Sequence, residues 1–262
     1  MAIDLDGTLL QTDEQVSQRA IRVIGEVSHR GIPVVLASAR PPRSARRIYD
    51  QLKLDTLQIN YNGALINDPV QHQSVFHQPL EADLAKQIIQ TARGIDSQVI
   101  VDLEILDRGY TDRIDPTLTT QTSQHFQPNA VGPLGQFLDQ PVTKLMLLAP
   151  PQRLGSVRAA VEHRFADRVR VHVSDPHLIQ VVHPKVDKAH ALAKVAETYR
   201  VPRQRVMAVG DAPNDIGMLR WAGWGVAMGN GWEAVQAAAD AVVPGNDEDG
   251  VAHALQRYVL EA

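Results

Sequence analysis

Residues 1–10 read MAIDLDGTLL, a short apolar run that ends in two aspartates, Asp4 and Asp6. Residues two apart in an extended strand face the same way, so these carboxylates project together if the strand persists as far as Asp6. Asp-Gly is also a common turn pair, and the run Asp6-Gly7-Thr8 taken alone favours a simple turn. The stretch is thus either a turn or the end of a strand that delivers paired carboxylates to a site.

A second stretch of the same form lies late in the chain, where residues 205–215 read RVMAVGDAPND. Its acidic residues, Asp211 and Asp215, also follow an apolar run. Open parallel sheets bind ligands beyond the carboxyl ends of their strands, and carboxylates crowded there repel each other unless a cation neutralises them. Because only oxygen ligands are offered, the two stretches together predict a site for a hard divalent ion such as Mg²⁺.

The first part of the chain alternates helical patterns with short apolar runs. Apolar residues recur at helical spacing over residues 14–31, the branched run at 32–36 predicts a buried strand, and a second helix is expected from about Pro42 to Leu52. The same alternation resumes at about Pro184. It predicts an α/β fold, a Rossmann-like doubly wound parallel sheet with both faces covered.

The middle of the chain follows a helix-and-hairpin pattern of α+β type. We therefore expect residues 79–183 to form an inserted α/β cap domain, and residues 1–78 and 184–262 to form the core. Residues 108–133 are long for a structureless loop and are expected to hold a short element.

The composition excludes several classes of function. The chain has 262 residues and no cysteine, which rules out disulfides, thiolate metal sites and a cysteine nucleophile. A formal net charge of -4 gives no general field to attract nucleic acid or an anionic membrane. No signal peptide or membrane span is expected, so we predict a cytoplasmic protein with neither nucleic acid nor membrane as a partner.

Four separated motifs resemble those of the haloacid dehalogenase superfamily, in its Cof-type form. Residues 4–9 (DLDGTL) resemble the first motif and residues 210–215 (GDAPND) the fourth. Ser38, at the end of a predicted strand, matches the second motif, and Lys188, which opens a predicted helix, matches the third. Residues 62–64 (NGA) also match a segment common in Cof-type members. The motifs cover both ends of the chain, whereas the middle matches the inserted cap of this family only in size and order.

The resemblance implies a phosphatase with an aspartyl-phosphate intermediate. Asp4 would be the nucleophile, and Asp6 would protonate the leaving oxygen and then take a proton from water. Ser38 would donate a hydrogen bond to a phosphate oxygen, and Lys188 would place a positive charge on the phosphate.

The resemblance also implies a metal and further substrate contacts. Mg²⁺ would be held by Asp4, the backbone carbonyl of Asp6, and Asp211, with Asp215 supporting that shell directly or through water. The remaining contacts to substrate are expected from Thr8, Asn62 and Asn214.

Each of these residues also has an ordinary interpretation. Ser38 is alternatively a small buried residue at a strand end, and Lys188 a solvated helix lysine that follows Asp187 as a cap. Asn62 is equally consistent with a hairpin turn, and Asn214 with a helix cap. Arg40 either reaches the active site or lies on the surface.

Three features depart from the family pattern. Ala39 and Ala189 stand where glycine is common, which restricts the backbone only mildly unless a positive φ is needed. Only Met1-Ala2-Ile3 precede Asp4, so either the first strand is short or the natural start lies upstream.

The sequence thus predicts a Mg²⁺-dependent phosphatase acting on a small phosphorylated metabolite, such as a sugar phosphate or a flavin- or pyridoxal-type phosphate. A phosphotransferase or mutase on the same scaffold, or a non-catalytic metabolite-binding protein, remain alternatives. Substrate choice is expected to depend on the inserted segment, and neither the substrate nor the oligomeric state follows from the sequence.

Overall fold

A computed structural model of the protein describes residues 1–118 and 120–261. The chain divides into two compact units. The core unit consists of Met1–Phe76 and Asp187–Ala262, and the inserted unit is His77–Val186. The sequence placed these divisions after residue 78 and before residue 184. Among the described residues, each helix is too short or too polar to span a bilayer.

The secondary structure follows the predicted alternation at both ends of the chain. The strands are β1 (Ala2–Ile3), β2 (Val35–Leu36), β3 (Gln58–Asn60), β4 (Leu65–Asp68), β5 (Gln73–His77), β6 (Ile100–Ile105), β7 (Arg108–Thr111), β8 (Ala130–Val131), β9 (Lys144–Leu148), β10 (Arg170–Asp175), β11 (Leu178–Val182), β12 (Met207–Gly210), β13 (Trp224–Met228) and β14 (Ala241–Val243). The α-helices are α1 (Gln18–His29), α2 (Pro42–Gln51), α3 (Ala82–Ile95), α4 (Gln121–His125), α5 (Pro151–Phe165), α6 (Lys188–Thr198), α7 (Ile216–Trp221), α8 (Glu233–Gln236) and α9 (Gly250–Leu255).

The core unit is built on a parallel sheet in the order β14–β13–β12–β1–β2, with β1 between β12 and β2. Successive residues of β1 face opposite sides of this sheet. Ala2 joins the apolar cluster that includes residues of α6 and α7, whereas Ile3 joins the cluster that includes residues of α1 and α9. Since both faces are buried under helices, the strands are continuously apolar, and the predicted doubly wound fold class is confirmed.

Strand β3 continues the core unit beside β2, through a parallel bridge between Ala37 and Ile59. It then pairs antiparallel with β4, and β5 completes this second sheet. The sequence pattern does not predict β4 or β5, because residues 65–77 are partly polar and show no clear alternation.

The inserted unit contains a sheet in the order β10–β11–β9–β6–β7–β8. Its pairs are antiparallel except β7 with β8. One sheet face carries Leu103 and Leu145, which join residues of α3 and α5 in one apolar core. The predicted α+β pattern is therefore present. The segment expected to hold a short element contains β7, α4 and β8.

Candidate active site

Two aspartates follow directly on the carboxyl ends of adjacent strands. Asp4 comes after β1 and Asp211 after β12, and these strands pair in register from Ala2 with Ala208 to Ile3 with Val209. The backbone N–H of Asp4 still donates to the carbonyl oxygen of Val209, at 3.0 Å. The pairing thus extends to Asp4 and places its carboxylate beside that of Asp211. The strand does not persist to Asp6: the chain turns over residues 5–8, so the turn alternative holds for Asp6-Gly7-Thr8 and the two carboxylates of the first stretch do not project together from one strand.

Lys188 lies between two carboxylates. Its Nζ donates to Oδ1 of Asp4 and to Oδ1 of Asp215, each at 2.6 Å. All three side chains are buried. Lys188 is the first residue of α6, and the side chain of Asp187 caps this helix by accepting from the N–H of Ala189 at 2.6 Å. The cap predicted as part of the ordinary interpretation is present, but Lys188 itself is buried rather than solvated.

Burial and ion pairing set the charges of this cluster. Burial raises the pKa of Asp4 well above its usual range, and the neighbouring carboxylate of Asp215 raises it further, against the opposing effect of Lys188. Burial acts to lower the pKa of Lys188, but Asp4 and Asp215 raise it overall above its ordinary value. Lys188 therefore stays charged, and further positive charge nearby would favour the carboxylate form of Asp4 against the effect of burial.

Asp211 and Asp215 are fixed by a further set of hydrogen bonds. The hydroxyl of Thr8 donates to Oδ1 of Asp211 at 2.6 Å. Oδ2 of Asp215 accepts from the backbone N–H groups of Asp211 and Ala212, at 3.1 and 3.0 Å. Burial raises the pKa of Asp211 as well. Thr8, predicted as a contact to substrate, is thus engaged by Asp211 in this structure.

The residues present fit a hard divalent cation. One carboxylate oxygen from each of Asp4, Asp211 and Asp215 lies within 4.8 Å of the other two. Lys188 is the counter-ion inside this group, so two negative charges remain to be neutralised there. The donors are all oxygen atoms, which Mg²⁺ and similar ions prefer.

Gly7 allows this close approach. Its φ is +79°, and a methyl group at its Cα would lie 2.4 Å from Oδ2 of Asp211. A residue with a side chain would be strained by the backbone conformation and would displace the carboxylate. The glycine of the first motif therefore has a steric reason in this chain.

The Asp6 side chain lies apart from the three-carboxylate group. It is paired with Arg40, whose Nε donates to Oδ2 at 2.9 Å and to Oδ1 at 3.1 Å, and whose terminal NH₂ also donates to Oδ1. The Asp6 side chain is 43% exposed. The structure thus resolves the alternatives for Arg40: it reaches the site, through Asp6.

The remaining predicted residues form one group next to Ser38. Ser38 is buried, and its Oγ accepts from the N–H of Arg40 at 3.1 Å. Asn62 has a left-handed backbone (φ 57°) in the turn between β3 and β4, and its Oδ1 accepts from Nδ2 of Asn214 at 2.9 Å. The N–H of Asn62 donates to the carbonyl oxygen of Ser38, at 3.0 Å. Asn62 therefore occupies the expected hairpin connection and also contacts a residue of the fourth motif.

Sequence reasoning missed Asn230. Its Nδ2 donates to the carbonyl oxygen of Gly7 at 2.8 Å, and the N–H of Trp232 donates to the carbonyl oxygen of Asp211 at 3.0 Å. The segment after β13 thus supports both carboxylate-bearing turns. The sequence position of Asn230 could have indicated this role. Asn230 follows β13, and β13 is a parallel neighbour of β12, so the residues after both strands lie at the same edge of the sheet.

Comparison with known proteins identifies relatives over nearly the whole chain. A family model described as haloacid dehalogenase-like hydrolase matches residues 1–255. The protein YitU of Bacillus subtilis (strain 168), named as a 5-amino-6-(5-phospho-D-ribitylamino)uracil phosphatase, is 32% identical over 261 residues, which cover 98% of this chain and 96% of YitU.

Solved structures show the same fold. The crystal structure of TM0651 from Thermotoga maritima matches with a TM-score of 0.89 and 30% identity, over 98% of this chain and 96% of that one. BT1666 from Bacteroides thetaiotaomicron, described among phosphatases of the haloalkanoate (HAD) enzyme superfamily, matches with a TM-score of 0.81 and 29% identity, over 97% and 92% of the two chains.

Proposed function

We propose, from the premise that this chain belongs to the haloacid dehalogenase-like hydrolases and is a phosphatase of phosphoric monoesters, that it acts through an aspartyl-phosphate on Asp4 and depends on Mg²⁺. The family match confirms the resemblance drawn from the four motifs. The observation that carries the mechanism is the buried group in which Lys188 joins Asp4 to Asp215 while Asp211 lies within reach of both carboxylates.

In the first step, a carboxylate oxygen of Asp4 attacks phosphorus. The new bond joins this oxygen to phosphorus, and the bond between phosphorus and the ester oxygen breaks. Asp6 supplies the proton that the departing oxygen needs. Asp4 suits the nucleophilic role because its position is fixed by the sheet and by Lys188.

In the second step, water attacks the phosphorus of the aspartyl-phosphate. Asp6 accepts a proton from that water, the bond between Asp4 and phosphorus breaks, and inorganic phosphate leaves. Both enzyme carboxyl groups then return to their starting state. One acid–base residue serves both steps because the same oxygen position is vacated by the leaving group and filled by water.

The surrounding residues bind and orient the phosphate. The ammonium group of Lys188 offers a point charge, and the Ser38 hydroxyl can donate to a phosphate oxygen while its lone pair accepts from Arg40 N–H. Asn62 and Asn214, which already contact each other, are proposed to bind substrate oxygens. Thr8 contributes by holding Asp211 in place.

Mg²⁺ is proposed to be held by Asp4, the carbonyl oxygen of Asp6, and Asp211, with Asp215 in support. When bound, it supplies positive charge that offsets repulsion between the nucleophile and the phosphate dianion. Burial raises the pKa of Asp4, and Asp4 must be a carboxylate in order to attack. The positive charge of the ion would favour that carboxylate form.

The substrate is proposed to be a small phosphorylated metabolite, either a sugar phosphate or a flavin- or pyridoxal-type phosphate. The compound in the name of YitU, a polyol phosphate joined to a heteroaromatic ring, falls within this class. The expected locations are the cytoplasm for the enzyme and the inserted unit for substrate discrimination.

The test is hydrolysis of p-nitrophenyl phosphate by the wild type and Asp4→Asn, with Mg²⁺ and with a chelator. We expect chelation to abolish turnover and Asp4→Asn to lower kcat by at least roughly 10³-fold. Asp55→Asn, which changes an exposed aspartate of the core unit, is the matched control and should retain wild-type rates. Equal activity in Asp4→Asn and the wild type would reject the mechanism.

A further inference from the structure

Two nitrogen atoms of the Arg40 guanidinium group donate hydrogen bonds to the carboxylate of Asp6. The contacts from Nε and from the terminal NH₂ reach both carboxylate oxygens, a forked geometry that fixes the plane of the carboxylate as well as its position. The Arg40 side chain is only 15% exposed, whereas that of Asp6 is 43% exposed. The arginine is therefore the fixed member of this pair and the aspartate is the member that faces solvent.

Hydrogen bonds hold both the backbone N–H and the carbonyl oxygen of Arg40. Its N–H donates to Oγ of Ser38 at 3.1 Å. Its carbonyl oxygen accepts from the N–H of Tyr61 at 3.3 Å and from Nδ2 of Asn60 at 3.1 Å, and Asn60 is fully buried. Two side chains and one backbone group thus hold the residue from which the guanidinium group extends.

The segment that provides this anchor is strained. Tyr61 and Asn62 have φ values of 51° and 57°, in the left-handed region that residues other than glycine rarely adopt. Each such residue costs on the order of 1–3 kcal/mol and persists only where surrounding contacts determine it, typically at functional sites. This turn brings the N–H of Tyr61 to the carbonyl oxygen of Arg40 and so helps to fix the position of Arg40.

We infer that Arg40 is a positioning residue that aims the Asp6 carboxyl group at the oxygen of the leaving group. The inference rests on the proposed function, in which Asp6 gives a proton to that oxygen. In the first step the O–H bond of Asp6 breaks and the proton goes to the ester oxygen as phosphorus moves to Asp4. This transfer needs Asp6 in one orientation, and Arg40 provides that orientation before substrate arrives.

The inference predicts a dependence on the leaving group. p-Nitrophenolate departs without a proton, whereas an alkoxide from an alkyl phosphate needs one as the bond breaks. For Arg40→Gln, we expect kcat/KM to fall roughly 10–100-fold with glycerol 2-phosphate and less than about threefold with p-nitrophenyl phosphate. kcat/KM is the right quantity, because it reports phosphoryl transfer to Asp4 and not the later hydrolysis.

Two further variants complete the design. Arg47→Gln changes an exposed arginine of α2, the helix that follows Arg40, and both substrates should be hydrolysed at wild-type rates. In an Asp6→Asn background, release of glycerol from glycerol 2-phosphate is followed in a single turnover, because Asp4 stays phosphorylated. Arg40→Gln should cause no additional loss in that rate, because the group that it positions is gone.

An equal loss with both substrates, no loss with either, or a full additional loss in the Asp6→Asn background would overturn the inference. Asp4→Asn separates this outcome from failure of the proposed function. If Asp4→Asn is inactive on both substrates while Arg40→Gln shows no leaving-group dependence, the phosphatase mechanism stands and the role of Arg40 falls. If Asp4→Asn remains active, the mechanism itself fails.

Discussion

The core unit and the inserted unit bury their polar side chains in different ways. In the core unit, Asp4, Lys188, Asp211 and Asp215 come from separate parts of the chain and meet in one hydrogen-bonded group. In the inserted unit, buried charged residues are set along the sheet, as in the cross-strand pair of Glu104 with Lys144. Chemistry requires convergence, whereas a sheet surface requires only that each polar group be satisfied.

Strand direction explains this difference. The parallel strands β1 and β12 end at the same edge, so the residues that follow them meet. The antiparallel strands of the inserted unit end at alternate edges, so their terminal residues are separated. This difference supports placing the proposed reaction in the core unit, so that the inserted unit can vary without loss of the carboxylate group.

The largest effect is expected from Lys188→Met, which removes the ammonium group that joins two buried carboxylates. Breaking a buried pair costs about 3–5 kcal/mol, because a charge is left without a partner. We expect that loss in the free energy of unfolding, measured in urea without Mg²⁺, and a fall in p-nitrophenyl phosphate hydrolysis of at least roughly 10³-fold. Lys86→Met, at an exposed lysine of the inserted unit, should alter stability by less than about 0.5 kcal/mol. A stable and active Lys188→Met would show that Asp4 and Asp215 do not need this counter-ion, and it would contradict the comparison of the two units.

A smaller effect is expected from Gly7→Ala in the core unit. The added methyl group meets Oδ2 of Asp211 at a backbone with positive φ, so the carboxylate must shift. A shift of this kind lowers activity on the order of 10²-fold, since catalytic groups tolerate little misplacement. The Mg²⁺ concentration needed for half-maximal activity should rise as well, and an unchanged value would show that Asp211 does not hold the metal.

A pH-dependent effect is expected in the inserted unit, at Asp102. Burial raises the pKa of Asp102 from 3.8 to about 6. The folded state therefore binds more protons than the unfolded state between these values, and stability falls as the pH rises through this window. Asp102→Asn lacks this dependence, so relative to the wild type it should gain about 1–3 kcal/mol between pH 4 and pH 7. Thermal unfolding at a series of pH values measures the gain, and a difference that does not vary with pH would show that Asp102 titrates normally.

The smallest effect is expected from Gly155→Ala, the counterpart of Gly7→Ala in the inserted unit. Gly155 lies within α5, and a methyl group there meets no atom within 4 Å. Alanine should therefore stabilise the helix by about 0.5–1 kcal/mol and leave turnover unchanged. A loss of stability at this exposed position would indicate that α5 has a partner outside the described contacts.

The sequence predicted those parts of the site that depend on strand ends and motif spacing. Asp4 and Asp211 could be placed together because parallel strands determine where their following residues meet. The burial of Lys188 between two carboxylates could not be predicted, since a lysine at the start of a helix is usually solvated. The pairing of Arg40 with Asp6 could not be predicted from the sequence either, because it depends on the rotamer of Arg40 and on the turn at Tyr61 and Asn62.

The fold, too, could be predicted where it follows from local sequence pattern and could not where it depends on tertiary contacts. The long periodic segment of α1 was recognised from apolar spacing. Strands β4 and β5 were not, because their pairing depends on a tertiary neighbour more than on local pattern.

The most direct test of the central claim is to trap the phosphoryl group on Asp4. Asp6→Asn should still accept phosphorus from p-nitrophenyl phosphate, whose leaving group needs no proton, but should lack the base for hydrolysis. With Mg²⁺ present, we expect a burst of one nitrophenolate per chain and, after borohydride reduction and peptide mass mapping, homoserine at position 4. A burst with the label on another residue, or steady turnover with Asp4 unmodified, would contradict the account.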